Sequence, residues 1–220
     1  MFKNRTQAGV LLGQKLSQLL GGKSELSTIV VALPRGGVPV AVEIAKEFKS
    51  PLTVLVAKKI GAPMHPEFAI GAVSSTGSLV LNENTGLPVE SLNAQIVSQR
   101  EKLIAQAQQA ELEWLHVMGL KEQLRFEGRR AILVDDGIAT GMTAVAAADS
   151  LRKMGATELI ISAPVIAAQT VDLLLEYCDR VVAVLTPYNL SAVGFFYEDF
   201  SQVSDEEVRK DLMSAASRLI

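Results

Sequence analysis

The sequence holds one cysteine, two histidines and one tryptophan in 220 residues, and each scarcity closes off a class of protein. A lone Cys178 forms no internal disulfide, and His65 and His116 build no zinc-ligand spacing with it. Leu173-Leu174-Leu175 before Cys178 and Val181-Val182 after it suggest a buried, inert thiol. Aromatic residues at 5% offer little for stacking the bases of a single strand. A formal net charge of −3 gives no basic surplus for a nucleic-acid backbone, so no nucleic-acid partner is expected. The longest uncharged stretch, Val181 to Tyr197, is broken by Pro187, Asn189 and Gly194. A membrane span needs about 20 largely apolar residues, so no membrane partner is expected either. Met1-Phe2-Lys3-Asn4-Arg5 opens into a polar-apolar mixture rather than a signal-peptide core, and the expected location is cytoplasmic. The dinucleotide fingerprint, the Walker A lysine motif and the nucleophile elbow are all missing.

What remains is an ordinary globular composition, 49% hydrophobic and 20% charged. Residues 1–220 read as one domain, with an inserted lid and long helix over approximately 60–120. Apolar spacing over 4–20, closed by Gly21-Gly22, predicts a helix with a glycine stop. The β-branched run Thr28 to Leu33 predicts a strand ending at Pro34-Arg35-Gly36-Gly37. A helix from Val38 to Phe48 follows, with Pro39 tolerated in its first turn. Leu52 to Ala57 predicts a second strand, and Phe68 to Val73 with Leu79 to Leu81 a hairpin-like excursion. Leu92, Ile96, Leu103, Ala107, Ala110 and Trp114 recur at helical spacing over 89–118, which predicts a long amphipathic packing helix. The strand Ala131 to Val134 then leads to a helix from Thr143 to Met154. The strand Leu159 to Ala163, the helix Ala167 to Tyr177 and the strand Val181 to Leu185 complete the alternation. Nearly continuous apolar strands joined by helices predict an α/β fold: an open, mostly parallel sheet with helices on both faces.

One segment carries chemistry. Ala131-Ile132-Leu133-Val134 runs directly into Asp135-Asp136-Gly137-Ile138-Ala139-Thr140-Gly141-Met142-Thr143. A buried strand would deliver two carboxylates to the carboxyl edge of the sheet, where open α/β folds bind ligands. The small-residue turn and helix start would supply unpaired N–H groups and a positive dipole end, suited to a phosphate. Thr140 and Thr143 add hydroxyl donors, and the acceptor-only acids suit the vicinal hydroxyls of a sugar phosphate. The alternative reading, an acidic pair capping a helix, explains fewer of these residues.

The segment resembles the phosphoribosyl-pyrophosphate (PRPP) signature of type I phosphoribosyltransferases. The resemblance implies that Asp135 and Asp136 hold the ribose hydroxyls. It implies that Gly137, Ile138, Ala139, Thr140, Gly141 and Thr143 hold the 5-phosphate. Pro34-Arg35-Gly36-Gly37 resembles the family's pyrophosphate loop, with Arg35 pairing phosphate oxygens and Gly36 and Gly37 admitting close backbone approach. Lys58 and Lys59 stand where relatives carry basic residues before a lid. The stretches 58–73 and 192–208 extend the similarity, over nearly the whole chain, to an uncharacterised subgroup of the family.

The implied activity moves a 5-phosphoribosyl group from PRPP to a nitrogenous acceptor and releases pyrophosphate. Mg²⁺ is the implied cofactor, held through PRPP near Asp135 and Asp136, and a homodimer is the implied assembly. The alternative is a non-catalytic PRPP-binding regulator or sensor. It is kept open by Ala139, which stands where enzymes acting on hypoxanthine and guanine carry an aspartate. Residues 114–130 also lack the subgroup's pattern. Glu67 is a candidate acid of the adenine type, His65 a candidate lid residue or base, and His116 reads as structural. Tyr188, Phe195, Phe196 and Tyr197 are candidates for a hood over an aromatic acceptor.

Overall fold

Valine, isoleucine and leucine fill the strands on both faces, and the sheet they form is covered on both sides. The computed structural model describes residues 1–21, 26–62, 68–82 and 89–216, with the side chains of 89–93 left aside. Five strands form one wholly parallel sheet: β1 (Thr28–Ala32), β2 (Leu52–Val54), β6 (Arg130–Val134), β7 (Glu158–Val165) and β8 (Arg180–Leu185). Their spatial order is β2-β1-β6-β7-β8. Alternation sorts the side chains. Val30, Ala32, Ile132, Val134 and Ile160 face one layer, with Leu12 and Leu16 of α1 (Arg5–Leu20) and Val38, Ala41 and Ile44 of α2 (Gly37–Phe48). Ile29, Val31, Ala131, Leu133 and Ile161 face the other, with Val145, Ala148 and Leu151 of α4 (Met142–Lys153).

A second, antiparallel sheet carries β3 (Ala57–Gly61), β4 (Ala69–Ser74) and β5 (Leu79–Leu81) in that order. It packs between α4 and the long helix α3 (Val89–Val117). The expected hairpin is therefore present, as two strands of three. The expected strand from Leu52 to Ala57 is two strands in different sheets. Leu55 N–H still donates to Ala32 C=O at 3.1 Å, but Val56 N–H turns to the carboxylate of Glu111 at 2.8 Å, and the parallel pairing stops.

The C-terminal third departs further from expectation. The helix read over 167–177 is a 3-10 turn, Ala168–Thr170, and the short helix α5, Val171–Leu175. A 3-10 turn at Val193–Phe196 and a helix α6, Asp205–Ala216, are additions to the expected elements. α6 begins with a capping box: Ser204 N–H donates to Glu207 at 2.7 Å, and Glu207 N–H donates back to the Ser204 hydroxyl at 3.2 Å. Val208, Leu212 and Ala215 are its buried stripe. None of the described helices is long and apolar enough to cross a membrane.

The order of strands locates the functional edge. From β1 the chain crosses to β2 on one side, while β6 lies on its other side and leads to β7. The loops after β1 and β6 thus diverge, and a crevice opens between them at the carboxyl edge. Those loops are Pro34-Arg35-Gly36 and Asp135-Asp136-Gly137.

Candidate functional site

The two loops at the switch point touch. An added Cβ at Gly36 would stand 2.1 Å from Asp136 Oδ2, and one at Gly37 would stand 2.6 Å from Val134 C=O. A side chain at Gly37 would meet backbone and force the loops apart, and one at Gly36 would displace the Asp136 carboxylate, so this approach requires both glycines. The Pro34–Arg35 peptide is cis. Arg35 projects outward, with Nη1 donating to Asp205 Oδ1 at 3.3 Å, and both side chains are largely exposed. That pair is weakly held, and Arg35 can turn to a stronger anion.

Asp135 and Asp136 both lie at the crevice and are partly enclosed. Asp136 N–H donates to Asp135 Oδ1 at 2.8 Å. Burial pushes the Asp135 carboxyl well above its ordinary range, the Asp136 charge pushes it further, and Arg5 pulls it down. Asp136 accepts from Arg5 Nε at 2.7 Å, and its backbone C=O accepts from the Tyr197 hydroxyl at 2.6 Å. Burial, then the nearby Asp136 charge, drives the Tyr197 phenol upward, which keeps it a donor.

Beyond the acids lies a cradle of donors. Ile138 is pinned in both directions: its N–H donates to Val165 C=O and its C=O accepts from Ala167 N–H, each at 2.9 Å. Thr170 Oγ1 donates to the Ala139 C=O. The N–H groups of Gly137, Ala139, Thr140, Gly141, Met142 and Thr143 donate to no described acceptor. Val145 N–H is the first of α4 to find one, Gly141 C=O at 2.8 Å. Gly141 caps α4 at φ +77°, a left-handed conformation that favours glycine. A turn with fixed carbonyls and N–H groups that find no described acceptor, at a helix start, is suited to an anion.

The lysines are less well gathered. Lys58 and Lys59 do not end β2 in a loop but sit inside β3. Successive strand residues point to opposite faces, so the two cannot serve one site equally. Lys58 opposes Val73 and shares Ile60's face toward α3, while Lys59 opposes Ala72 and shares Ala57's face toward α4. Among the described contacts neither lysine bonds Asp135, Asp136 or Arg35. Glu67 and His65 lie outside the described residues. The hood candidates divide: Tyr188 and Phe195 are 87% and 70% exposed, whereas Tyr197 is buried against Phe2 and Phe200. Cys178 is buried as expected, and burial pushes its thiol up.

Three contributors were not legible in the sequence: Arg5, Phe200 and Asp205. With Arg35, Gly36, Asp136, Val193 and Gln202, Arg5 and Phe200 line a cleft of about 360 Å³. Among the described residues no three His, Cys, Asp or Glu side chains gather as a metal site. The acid pair is the site's supply of hard carboxylate oxygens, the type that suits Mg²⁺.

A parallel α/β sheet with an acid pair and a turn of N–H groups at its switch point places the chain in the class of open α/β proteins whose crevice lies at the carboxyl edge of the sheet. Comparison with known proteins narrows that class. The family model described as "Phosphoribosyl transferase domain" matches residues 7–198, and the chain belongs to this family. It is 40% identical over 212 residues to the Mycobacterium tuberculosis (strain ATCC 25618 / H37Rv) protein named "Putative phosphoribosyl transferase Rv0571c". That match takes in 94% of this chain and 45% of the relative, so the chain spans about half the length of the curated relatives it matches. The crystal structure of TT1426 from Thermus thermophilus superposes with a TM-score of 0.75 at 35% identity, covering 97% of this chain and 98% of that one. AQ2163 from Aquifex aeolicus shares the fold, with a TM-score of 0.50 at 12% identity, over 96% of this chain and 85% of that one.

Proposed function

We propose that this chain transfers a 5-phosphoribosyl group from PRPP to a nitrogenous acceptor and releases pyrophosphate. The observation that carries the reading is the juxtaposition of the acid pair with the N–H groups of Gly137 and of Ala139 to Thr143, which find no described acceptor. A vicinal diol and a phosphate on one sugar match that arrangement of acceptors and donors. In the reaction, the bond from the anomeric carbon to the pyrophosphate oxygen breaks and its electron pair leaves with pyrophosphate. The acceptor nitrogen's lone pair forms the new bond, and that nitrogen gives up its proton.

Each residue has a task within this scheme. Asp135 and Asp136 accept the ribose hydroxyls and place negative charge beneath an anomeric carbon that becomes positive. The 137–143 turn fixes the 5-phosphate, which orients the ribose. Arg35 leaves Asp205 for the pyrophosphate, and Lys59, on the α4 side, is the better placed of the two lysines to join it. Mg²⁺, carried on the pyrophosphate and ribose oxygens, would neutralise the leaving group. Val193 and Phe200 in the cleft, with exposed Phe195 on the adjoining turn, offer an apolar surface to a planar acceptor. Ala139 has no carboxylate to take the acceptor's proton, which argues against a 6-oxopurine. By the family resemblance we also propose a cytoplasmic homodimer acting in nucleotide metabolism.

The test is calorimetry of PRPP with Mg²⁺ on the wild type and on Asp135→Asn/Asp136→Asn, beside a pyrophosphate-release screen over purine, pyrimidine and orotate-like acceptors. Binding that the double variant abolishes, together with release for one acceptor class, is the expected result. Equal affinity in the double variant refutes the site assignment. Tight PRPP binding with silence toward every acceptor favours the sensor.

A further inference from the structure

The cation against the acid pair belongs to neither loop that builds the site. Arg5 is the first residue of α1 and lies 131 positions from Asp136. Its planar group is engaged on three sides. Nε donates to Asp136 Oδ2 at 2.7 Å, Nη1 donates to Ser201 C=O at 2.8 Å, and the guanidinium carbon sits 3.9 Å from the centre of the Phe200 ring. The Arg5 and Asp136 side chains are 11% and 15% exposed, unlike the open Arg35–Asp205 pair. Phe200 and Ser201 therefore fix the guanidinium before it meets the carboxylate, and the pairing costs little further ordering. Gly36 closes the other side of Asp136 Oδ2. Among the described hydrogen bonds none ends on Oδ1, although the neighbouring Asp135 carboxyl reaches the same carboxylate.

We propose that Arg5 is a positioning residue for the donor's ribose: held by Phe200 and Ser201, it clamps Asp136 through Oδ2 and presents Oδ1 to a ribose hydroxyl. The proposal rests on the reading of this site as a PRPP site. Arg5 has a second effect: it is the close countercharge of a crowded acid pair. The other groups around the pair are few. Tyr197 approaches from the C-terminal turn as a neutral donor, and Arg35 lines the same cleft but is engaged with Asp205. Asp199 and Glu207, farther out, also feel Arg5. Removing Arg5 thus leaves two adjacent carboxylates without their close countercharge.

The experiment compares the wild type, Arg5→Gln and Arg5→Lys by calorimetry with Mg²⁺, using PRPP and, as a probe without the ribose, inorganic pyrophosphate, beside thermal melts. In Arg5→Gln PRPP affinity should fall at least about tenfold, while pyrophosphate affinity stays within about twofold of the wild type. Arg5→Lys, which keeps the charge but loses the planar group, should recover only part of the PRPP affinity. A lower melting temperature with PRPP and pyrophosphate affinities that are unchanged, or that fall together, would reduce Arg5 to a structural residue and overturn the proposal. The proposal also fails if only Arg5→Lys folds and it matches the wild type in affinity. A wild type that binds pyrophosphate but no PRPP instead overturns the PRPP reading and the ribose role with it.

Discussion

A methyl group at position 36 would stand where Asp136 Oδ2 already is, 2.1 Å away, and that carboxylate is held in place by Arg5. Gly36→Ala should therefore displace the acid rather than unfold the chain. PRPP affinity by calorimetry should drop about tenfold or more, with a melting temperature within a few degrees of wild type. Asp135 has the opposite balance. Its folded-state carboxyl titrates above the ordinary value of 3.8, so the native state binds a proton more tightly than the unfolded chain does. That contribution is complete below pH 3.8 and is lost as pH rises through the raised value, so the burial of Asp135 works against stability once the unfolded chain's carboxyl is ionised. Asp135→Asn keeps an oxygen for the Asp136 N–H and removes the charge. It should stabilise by about 1 kcal/mol at pH 7, seen as roughly 2–4 °C in thermal melts, while PRPP binding is lost. At this scale the acid pair and the turn after it were legible because they are contiguous, and contiguous motifs keep their geometry. Arg5 was not, since a polar residue in a first helical turn looks the same whether its partner is water or a carboxylate 131 positions away.

Where one strand became two, the cause is a side chain from another element. Glu111 of α3 is buried and accepts from Val56 N–H, from the Ser75 hydroxyl and from Gln123 Nε2 at 3.1 Å. It takes the N–H that would have extended β2 and starts the turn into β3. Glu111→Ala strands those donors in the interior and should cost about 2–4 kcal/mol in denaturant melts. The split also decides how the lysines behave. As loop residues Lys58 and Lys59 would be interchangeable, but in β3 they face α3 and α4 respectively. Lys59→Ala should therefore weaken PRPP binding several-fold more than Lys58→Ala in parallel calorimetry. Helix α6 escaped the reading although its signals were present. Ser204-Asp205-Glu206-Glu207 is a capping box, and Val208, Leu212 and Ala215 have helical spacing. Three buried positions among twelve are a thin stripe amid six charged residues, and the segment was read only for its family similarity.

For the molecule as a whole, the parallel sheet was legible because a strand buried on both faces carries mostly apolar residues, and β1 and β6 do, each with a single polar residue at its start. The antiparallel sheet was less so, since its short strands are defined by packing between α3 and α4. The net charge of −3 predicted nothing about an anionic ligand, because in the proposed site binding would depend on where Arg35, Lys59 and the turn of N–H groups stand. The clasp of the two chain regions has a consequence in time. Phe2 and Lys3 pair with residues 196–199, and Arg5 and Ser201 are 196 positions apart. A ribosome adding roughly 5–20 residues per second needs some 10–40 s to make the second half of that clasp after the first. Through the later part of that interval the acids and the cradle already exist, but the clamp on Asp136 does not. If the clamp acts as proposed, a nascent chain stalled before Phe200 and Ser201 would hold the donor more weakly, and full affinity would wait for those two residues to emerge.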